Sequence, residues 1–160
     1  MYDVPTLGLN YRMSDINAAL GRRQLARLDE ILRRRRRNFT QLKTALDDKG
    51  PWWILDAKED NTTNSFYCLS VILKAPLNTR RNEIVSKLHA AGVGTSVYYP
   101  QPVPRMTYYK NKYGYIAADY PNAAIISDHG VALPVGPHLQ PEELEFIAST
   151  FKSVTQEFPQ

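Results

Sequence analysis

Cysteine is almost missing from this chain, and so is any long uninterrupted apolar run. The one cysteine, Cys68, has nothing to pair with inside the chain, which excludes an intramolecular disulfide framework. It lies in the apolar stretch SFYCLSVIL and reads as a buried, unreactive thiol. No stretch approaches the ~18 consecutive apolar residues of a membrane-spanning helix. The first residues carry neither a basic segment nor an apolar one behind it, so no signal peptide is read there. A soluble, cytoplasmic protein with no membrane partner is the expectation. Cys-x-x-Cys and histidine pairs at ligand spacing are both lacking, so no metal site is expected. A glycine-rich phosphate loop is lacking too.

What the chain does have is a globular balance. At 160 residues with 43% hydrophobic and 22% charged content, it is long enough and apolar enough to bury one core. The net charge of +4 is concentrated at Arg33 to Arg37, five arginines in succession. Such a run can mark a nucleic-acid surface. On a helix, however, successive side chains turn by about 100°, so the five point all the way round and make no single basic face. A solvated helix surface is the favoured reading. The alternative is a stand-alone basic module that binds nucleic acid or a protein partner through this helix.

Hydrophobic spacing organises the rest. Residues 1–13 read as an irregular arm broken by Pro5 and Gly8, with Ser14 as a helix N-cap and Asp15 in the first turn. Ile16, Ala19, Leu20, Leu28, Ile31, Leu32, Phe39, Leu42 and Leu46 then keep steps of mainly three and four. They predict one long helix, or two nearly collinear ones, ending before Gly50-Pro51. Asp56 to Asn64 reads as polar loop. Ser65 to Leu73 predicts a strand buried on both faces, Val93 to Tyr99 a second, and Val131 to Leu133 a third. Thr79 is expected to cap a short helix stopped by Gly92. Pro100 to Tyr115, with its prolines and tyrosines, argues against regular structure. Tyr120-Pro121 opens a helix to about Asp128, and Gln140-Pro141-Glu142-Glu143 starts the last one, whose inner stripe is Leu144, Ile147, Phe151 and Val154. The fold class is therefore α+β: a small mixed or antiparallel sheet of about three strands with helices on one face, preceded by a long helix.

Chemistry is sparse. Asn10, Tyr11 and Arg12 precede a helix start, where free N–H groups and the helix dipole favour an anion, and Asn and Arg add donors. Tyr98 and Tyr99 end a strand and enter a Tyr/Pro-rich loop, a composition suited to sugars but also to a packed connector. His89, His129 and His138 have no nucleophile or acid at useful spacing. The carboxylates at Asp47-Asp48, Glu59-Asp60 and Glu142-Glu143 read as loop or helix-start charges. No catalytic residue is assigned.

Several separate motifs, in order, do carry a resemblance. Gly8 to Ala19 follows a Gly-x-Asn-Tyr-Arg-Met-Ser/Thr-Asp/Glu-Ile/Leu-x-Ala-Ala run. Gly92 to Pro100 follows Gly-x-x-Thr-x-x-Tyr-Tyr-Pro, and Tyr109 to Gly114 follows Tyr-x-x-x-Tyr-Gly. Pro121 to His138 follows Pro-x-Ala-x-x-Ile-Ser…Leu-Pro-Val-Gly-Pro-His. Over essentially its whole length the chain resembles the C-terminal part of the DegT/StrS-type aminotransferases. These are fold-type I enzymes that use pyridoxal 5′-phosphate (PLP) to aminate keto-sugar nucleotides, usually with glutamate as donor. The resemblance implies a dimer-crossing arm and connecting helix over residues 1–50 and a small α+β domain over 51–160. It implies that Asn10 reaches the PLP phosphate of the neighbouring subunit of a homodimer, with Arg12 nearby. Tyr11, Tyr98 and Tyr99 would line the sugar-nucleotide site, and no nucleic acid is implied. The Schiff-base lysine of such enzymes lies in an N-terminal domain, and no lysine here has its context. Met1 is expected to mark a truncation, a split gene or an excised domain, and the chain alone to be inactive. One departure stands out: many members carry Pro-Leu-His after the Tyr-Pro motif, where this chain has Pro102-Val103-Pro104.

Overall fold

A computed structural model describes residue 3 and residues 6–47, 49–56, 64–116 and 118–158. Pro5, Asp48, Glu59-Asp60 and most of the expected polar loop after Asp56 lie outside the described residues.

Helical spacing is realised in the second of its two alternatives, as α1 (Asp15–Leu25) and α2 (Leu28–Leu46). Ser14 caps α1 as expected, its Oγ accepting from the Asn17 amide at 3.3 Å. A turn at Ala26 and Arg27 separates the helices, with Arg27 N donating to the Gln24 carbonyl at 3.0 Å. The two have different fates. In α1 no residue is buried, whereas α2 buries Asn38, Phe39, Leu42 and Leu46.

The sheet follows. Strand β1 (Trp52–Leu55) pairs antiparallel with β2 (Cys68–Leu73), and β2 with β3 (Gly130–Pro134), in the order β1-β2-β3. All pairing is antiparallel. The expected number of strands is right, but one member differs. Val93 to Tyr99 is not a strand; only Ser96 bridges to Ala132, with N···O distances of 3.1 and 2.8 Å. Gly94 on one side and the Pro100 and Pro102 breakers on the other limit the ladder to that single pair. The third strand is instead β1, a four-residue segment too short for a periodicity signal. Its turn depends on Gly50: a Cβ there would sit 2.1 Å from the Trp52 indole, which folds back over it and donates from Nε1 to the Asp47 carbonyl at 3.2 Å.

Strand β2 starts three residues later than expected because the Asn64 side chain accepts from the Phe66 amide at 2.8 Å and Phe66 has φ of 47°. That Asx-type turn holds the chain off the ladder. Alternation then sorts the sheet's two faces. Leu69, Val71 and Leu73 of β2, with Trp52 and Ile54 of β1 and Val131 and Leu133 of β3, join the main core. Phe39, Leu42 and Leu46 of α2 cover this face together with α6 (Pro141–Gln156), which contributes Leu144, Ile147, Phe151 and Val154. The stripe expected for α6 is the stripe that is buried. Its start is a capping box, with the Gln140 amide donating to Glu143 Oε2 at 2.7 Å.

Between β2 and β3 lie α3 (Arg81–Ala90), α4 (Thr107–Tyr113) and α5 (Pro121–His129). Thr79 does not cap α3. It falls inside a 3-10 turn, Leu77–Arg80, and its Oγ donates to the Pro76 carbonyl at 3.3 Å. Gly92 does end α3, in the left-handed region with φ of 85°. Helix α4 corrects the expectation of irregular structure for 100–115: the prolines stop at Pro104, and beyond it Tyr109 stacks on Tyr113 one turn on, centroids 6.4 Å apart. A second correction concerns the layers. Ile72 and Ala132, both buried, alternate with the core-facing residues and so point to the other side of the sheet, where α5 packs with Ala124 and Ser127 buried. Helices therefore lie on both faces.

Candidate functional site

The arm comes first. Gly8, Leu9, Asn10, Tyr11 and Arg12 line an open hollow on the surface. Asn10 Oδ1 accepts from the Arg12 amide at 3.2 Å, which curls the backbone ahead of the α1 N-cap. Its side-chain N–H donors and the Arg12 guanidinium face solvent. Side chains along the arm and the start of α1 are exposed: Leu7 is 98% exposed, Tyr11 84% and Ile16 76%. For apolar side chains in a row that is an unfinished surface.

Tyr98 and Tyr99 occupy a different place. They are joined by a cis peptide bond, their rings lie 5.6 Å apart edge to face, and Ser127 Oγ donates to the Tyr99 carbonyl. Tyr98 lines a groove of about 370 Å³ together with Arg35, Tyr67, Cys68, Ser96, Gly136 and His138. The structure thus brings the two tyrosines together but puts Tyr98 and the Asn10-Tyr11-Arg12 triplet in separate hollows. Cys68, expected to be buried, is half-buried in this groove, its Sγ 3.6 Å from Ser70 Oγ. It sits on the sheet face opposite the main core, which α5 covers only in part.

The electrostatics of this groove centre on one phenol. Hydrogen bonds from the Ser96 hydroxyl and then from the Tyr67 hydroxyl hold the Tyr98 phenol below its ordinary pKa. The same bond to Tyr98 pushes Tyr67 up. The rings of Tyr67 and Tyr98 are 5.8 Å apart, and the Arg35 guanidinium lies over Tyr67, 5.6 Å from its centroid.

Arg35, Tyr67, Ser96 and His138 carry no role in the sequence reading. For Arg35 a signal existed. It stands four residues after Ile31, four before Phe39 and seven before Leu42, within the inward stripe of α2. The rest of the arginine run disperses, as the turn angle requires. Arg34 and Arg33 pair with Glu30, holding its carboxyl below the usual range; Arg36 lies over Phe66; Arg37 Nη2 donates to Asn38 Oδ1 at 3.0 Å.

The described residues hold no group of three or more His, Cys, Asp or Glu able to bind a metal, and no helix long and apolar enough to cross a membrane.

Comparison with known proteins supplies the frame. Residues 1–152 match the DegT/DnrJ/EryC1/StrS aminotransferase family. The spore coat polysaccharide biosynthesis protein SpsC of Bacillus subtilis is 29% identical over 157 residues, 97% of this chain and 40% of that protein. A UDP-4-amino-4,6-dideoxy-N-acetyl-beta-L-altrosamine transaminase of Campylobacter jejuni is 27% identical over 96% of this chain and 40% of its own length. Among solved structures, the PLP form of the putative sugar aminotransferase Spr1654 from Streptococcus pneumoniae superposes with a TM-score of 0.86 at 29% identity, covering all of this chain and 40% of that one. The chain spans about two fifths of the length of the relatives it matches. On these grounds the chain belongs to the DegT/DnrJ/EryC1/StrS aminotransferase family.

Proposed function

We propose that this chain is the C-terminal part of a PLP-dependent aminotransferase that moves an amino group from glutamate to a keto-sugar nucleotide. The observation that carries the reading is the exposed arm. Asn10 and Arg12 stand at the entrance to α1 on a stretch whose residues 6–14 are all exposed. Such a segment suits a contact with another polypeptide.

The donors present fit one end of PLP. An amide, a guanidinium and the N–H groups of a first helical turn are what a phosphate needs. In this reading residues 1–50 form the arm and connecting helix, with α2 anchored by Phe39, Leu42 and Leu46 in the core of the 51–160 domain. Asn10, with Arg12 beside it, holds the phosphate of PLP bound mainly by the neighbouring subunit of a homodimer. Tyr11, Tyr98 and Tyr99 form part of the sugar-nucleotide wall, where flat rings cover C–H faces and hydroxyls meet sugar oxygens. PLP itself supplies the electron sink that makes amino transfer feasible. This chain supplies binding and orientation, and by itself it is inactive.

A direct test is to incubate the chain with PLP and reduce with borohydride. No stoichiometric phosphopyridoxyl-lysine is expected; its appearance would overturn the reading. SpsC and the altrosamine transaminase bear names from polysaccharide and amino-sugar synthesis. They support a sugar nucleotide as the acceptor class here.

A further inference from the structure

One side chain that lines the groove beside Tyr98 has a polar atom without a partner. Arg35 Nε is buried and makes no hydrogen bond, the only such side-chain nitrogen or oxygen among the described residues. A buried N–H without an acceptor costs about 1–3 kcal/mol, and more on a charged group. The rest of the guanidinium rests on the Tyr67 ring rather than on a carboxylate. No Asp or Glu lines the groove, so the cation is uncompensated there.

The surrounding groups are arranged as donors. The Ser96 and Tyr67 hydroxyls act on the Tyr98 phenol and hold it below its ordinary pKa. A phenol made more acidic in this way is a stronger donor. His138 also lines the groove. The imidazole folds over Gly136 so closely that a Cβ there would come within 2.5 Å of it. The Gly136 loop is in turn tied to α2, one turn beyond Arg35, by Asn38 Nδ2 donating to the Gly136 carbonyl at 2.7 Å. One helix therefore carries the cation and anchors the loop that bears His138.

We propose that this groove is an oxyanion-binding subsite, in which a carboxylate or phosphate group is received by the Arg35 guanidinium, the Tyr98 hydroxyl and the His138 ring. The groove on this chain defines the chemistry. Its source rests on the aminotransferase reading, in which the anion is either the carboxylate of the amino donor and its keto acid or a phosphate of the nucleotide sugar.

The test uses the isotopically labelled chain, without PLP or an amino acceptor, titrated with 2-oxoglutarate, with inorganic diphosphate and with uncharged glycerol. Saturable amide shifts at residues 35–38, 96 and 136–138 are expected with an anion and not with glycerol. Tighter binding of 2-oxoglutarate assigns the carboxylate source, and tighter binding of diphosphate the phosphate source. Arg35→Lys keeps the charge and most of the stem but loses the Nε–H, and should weaken binding about tenfold. Tyr98→Phe removes a single oxygen from an exposed ring and should weaken it by about threefold or more. No saturable shift with either anion, or equal affinity in the parent chain and both variants, would overturn the proposal. Failure here leaves the aminotransferase reading intact, and a positive borohydride result would leave this site intact.

Discussion

Two hydroxyls lower the pKa of the Tyr98 phenol, and the order of their effects can be measured. Ser96 is the larger cause of the lowered Tyr98 pKa and Tyr67 the smaller, while Tyr67 is itself raised. In a phenolate absorbance titration the Tyr98 step should precede the bulk of the tyrosines and the Tyr67 step should lag. Ser96→Ala should move the Tyr98 step back toward the ordinary value by more than Tyr67→Phe does; the reverse order would break this account. A lowered phenol adds stability only above its unfolded pKa, and this is absent at neutral pH and below. The raised Tyr67 adds stability below its unfolded value and loses it as pH climbs through the raised one. At neutral pH, then, the pair favours the fold through Tyr67 alone. Little of this could be read from sequence. Tyr98 was visible through its Tyr-Tyr-Pro setting, but Ser96, two residues before it, carried no signal of its own, and Tyr67 lies 31 residues away along the chain.

At the scale of elements, α2 and α6 show how periodicity becomes stability. Phe151 on α6 is fully buried and meets the Trp52 indole edge to face, centroids 5.2 Å apart. Phe151→Ala should cost about 3–5 kcal/mol in urea unfolding, since truncation leaves a cavity between two elements. Phe146, on the same helix but 52% exposed, should change stability by about 0.5 kcal/mol or less on the same replacement. Equal losses at the two positions would mean that α6 is not packed on this face. The inward stripes of α2 and α6 were legible because both are long enough for a 3.6-residue repeat to accumulate. Short elements were not: β1 spans four residues and α4 seven, and each is held by contacts distant in sequence or by ring stacking, which no repeat reports. Arg35 falls between these cases. Its place in the α2 stripe was readable, but the arginine run around it hid that one member of five turns inward.

For the molecule as a whole, the arm and α1 form a segment with apolar residues and no core of its own. An isolated helix of 11 residues is marginal in water, and α1 buries nothing to support it. Its Ser14 cap and Asp15 charge contribute, but such terms amount to about 1 kcal/mol each and do not offset the entropy of ordering the segment. α2, by contrast, is tied to α6 through the shared core and by Lys152 near Asp47 at 3.8 Å. Hydrogen exchange of the dilute, monomeric chain should therefore divide at the Ala26-Arg27 turn. Amides of α1 should exchange near the free-peptide rate, and those of residues 38–46 should be protected to the level of the global unfolding reaction. If an N-terminal segment from a family member is added and the homodimer reading holds, protection should appear in α1 while α2 changes little. Asn10→Ala and Arg12→Ala should reduce PLP affinity in that assembly, leaving α2 protection as it was. Full α1 protection in the monomeric chain would show that the arm is finished by its own fold, and would remove the reason to assign it to a second polypeptide.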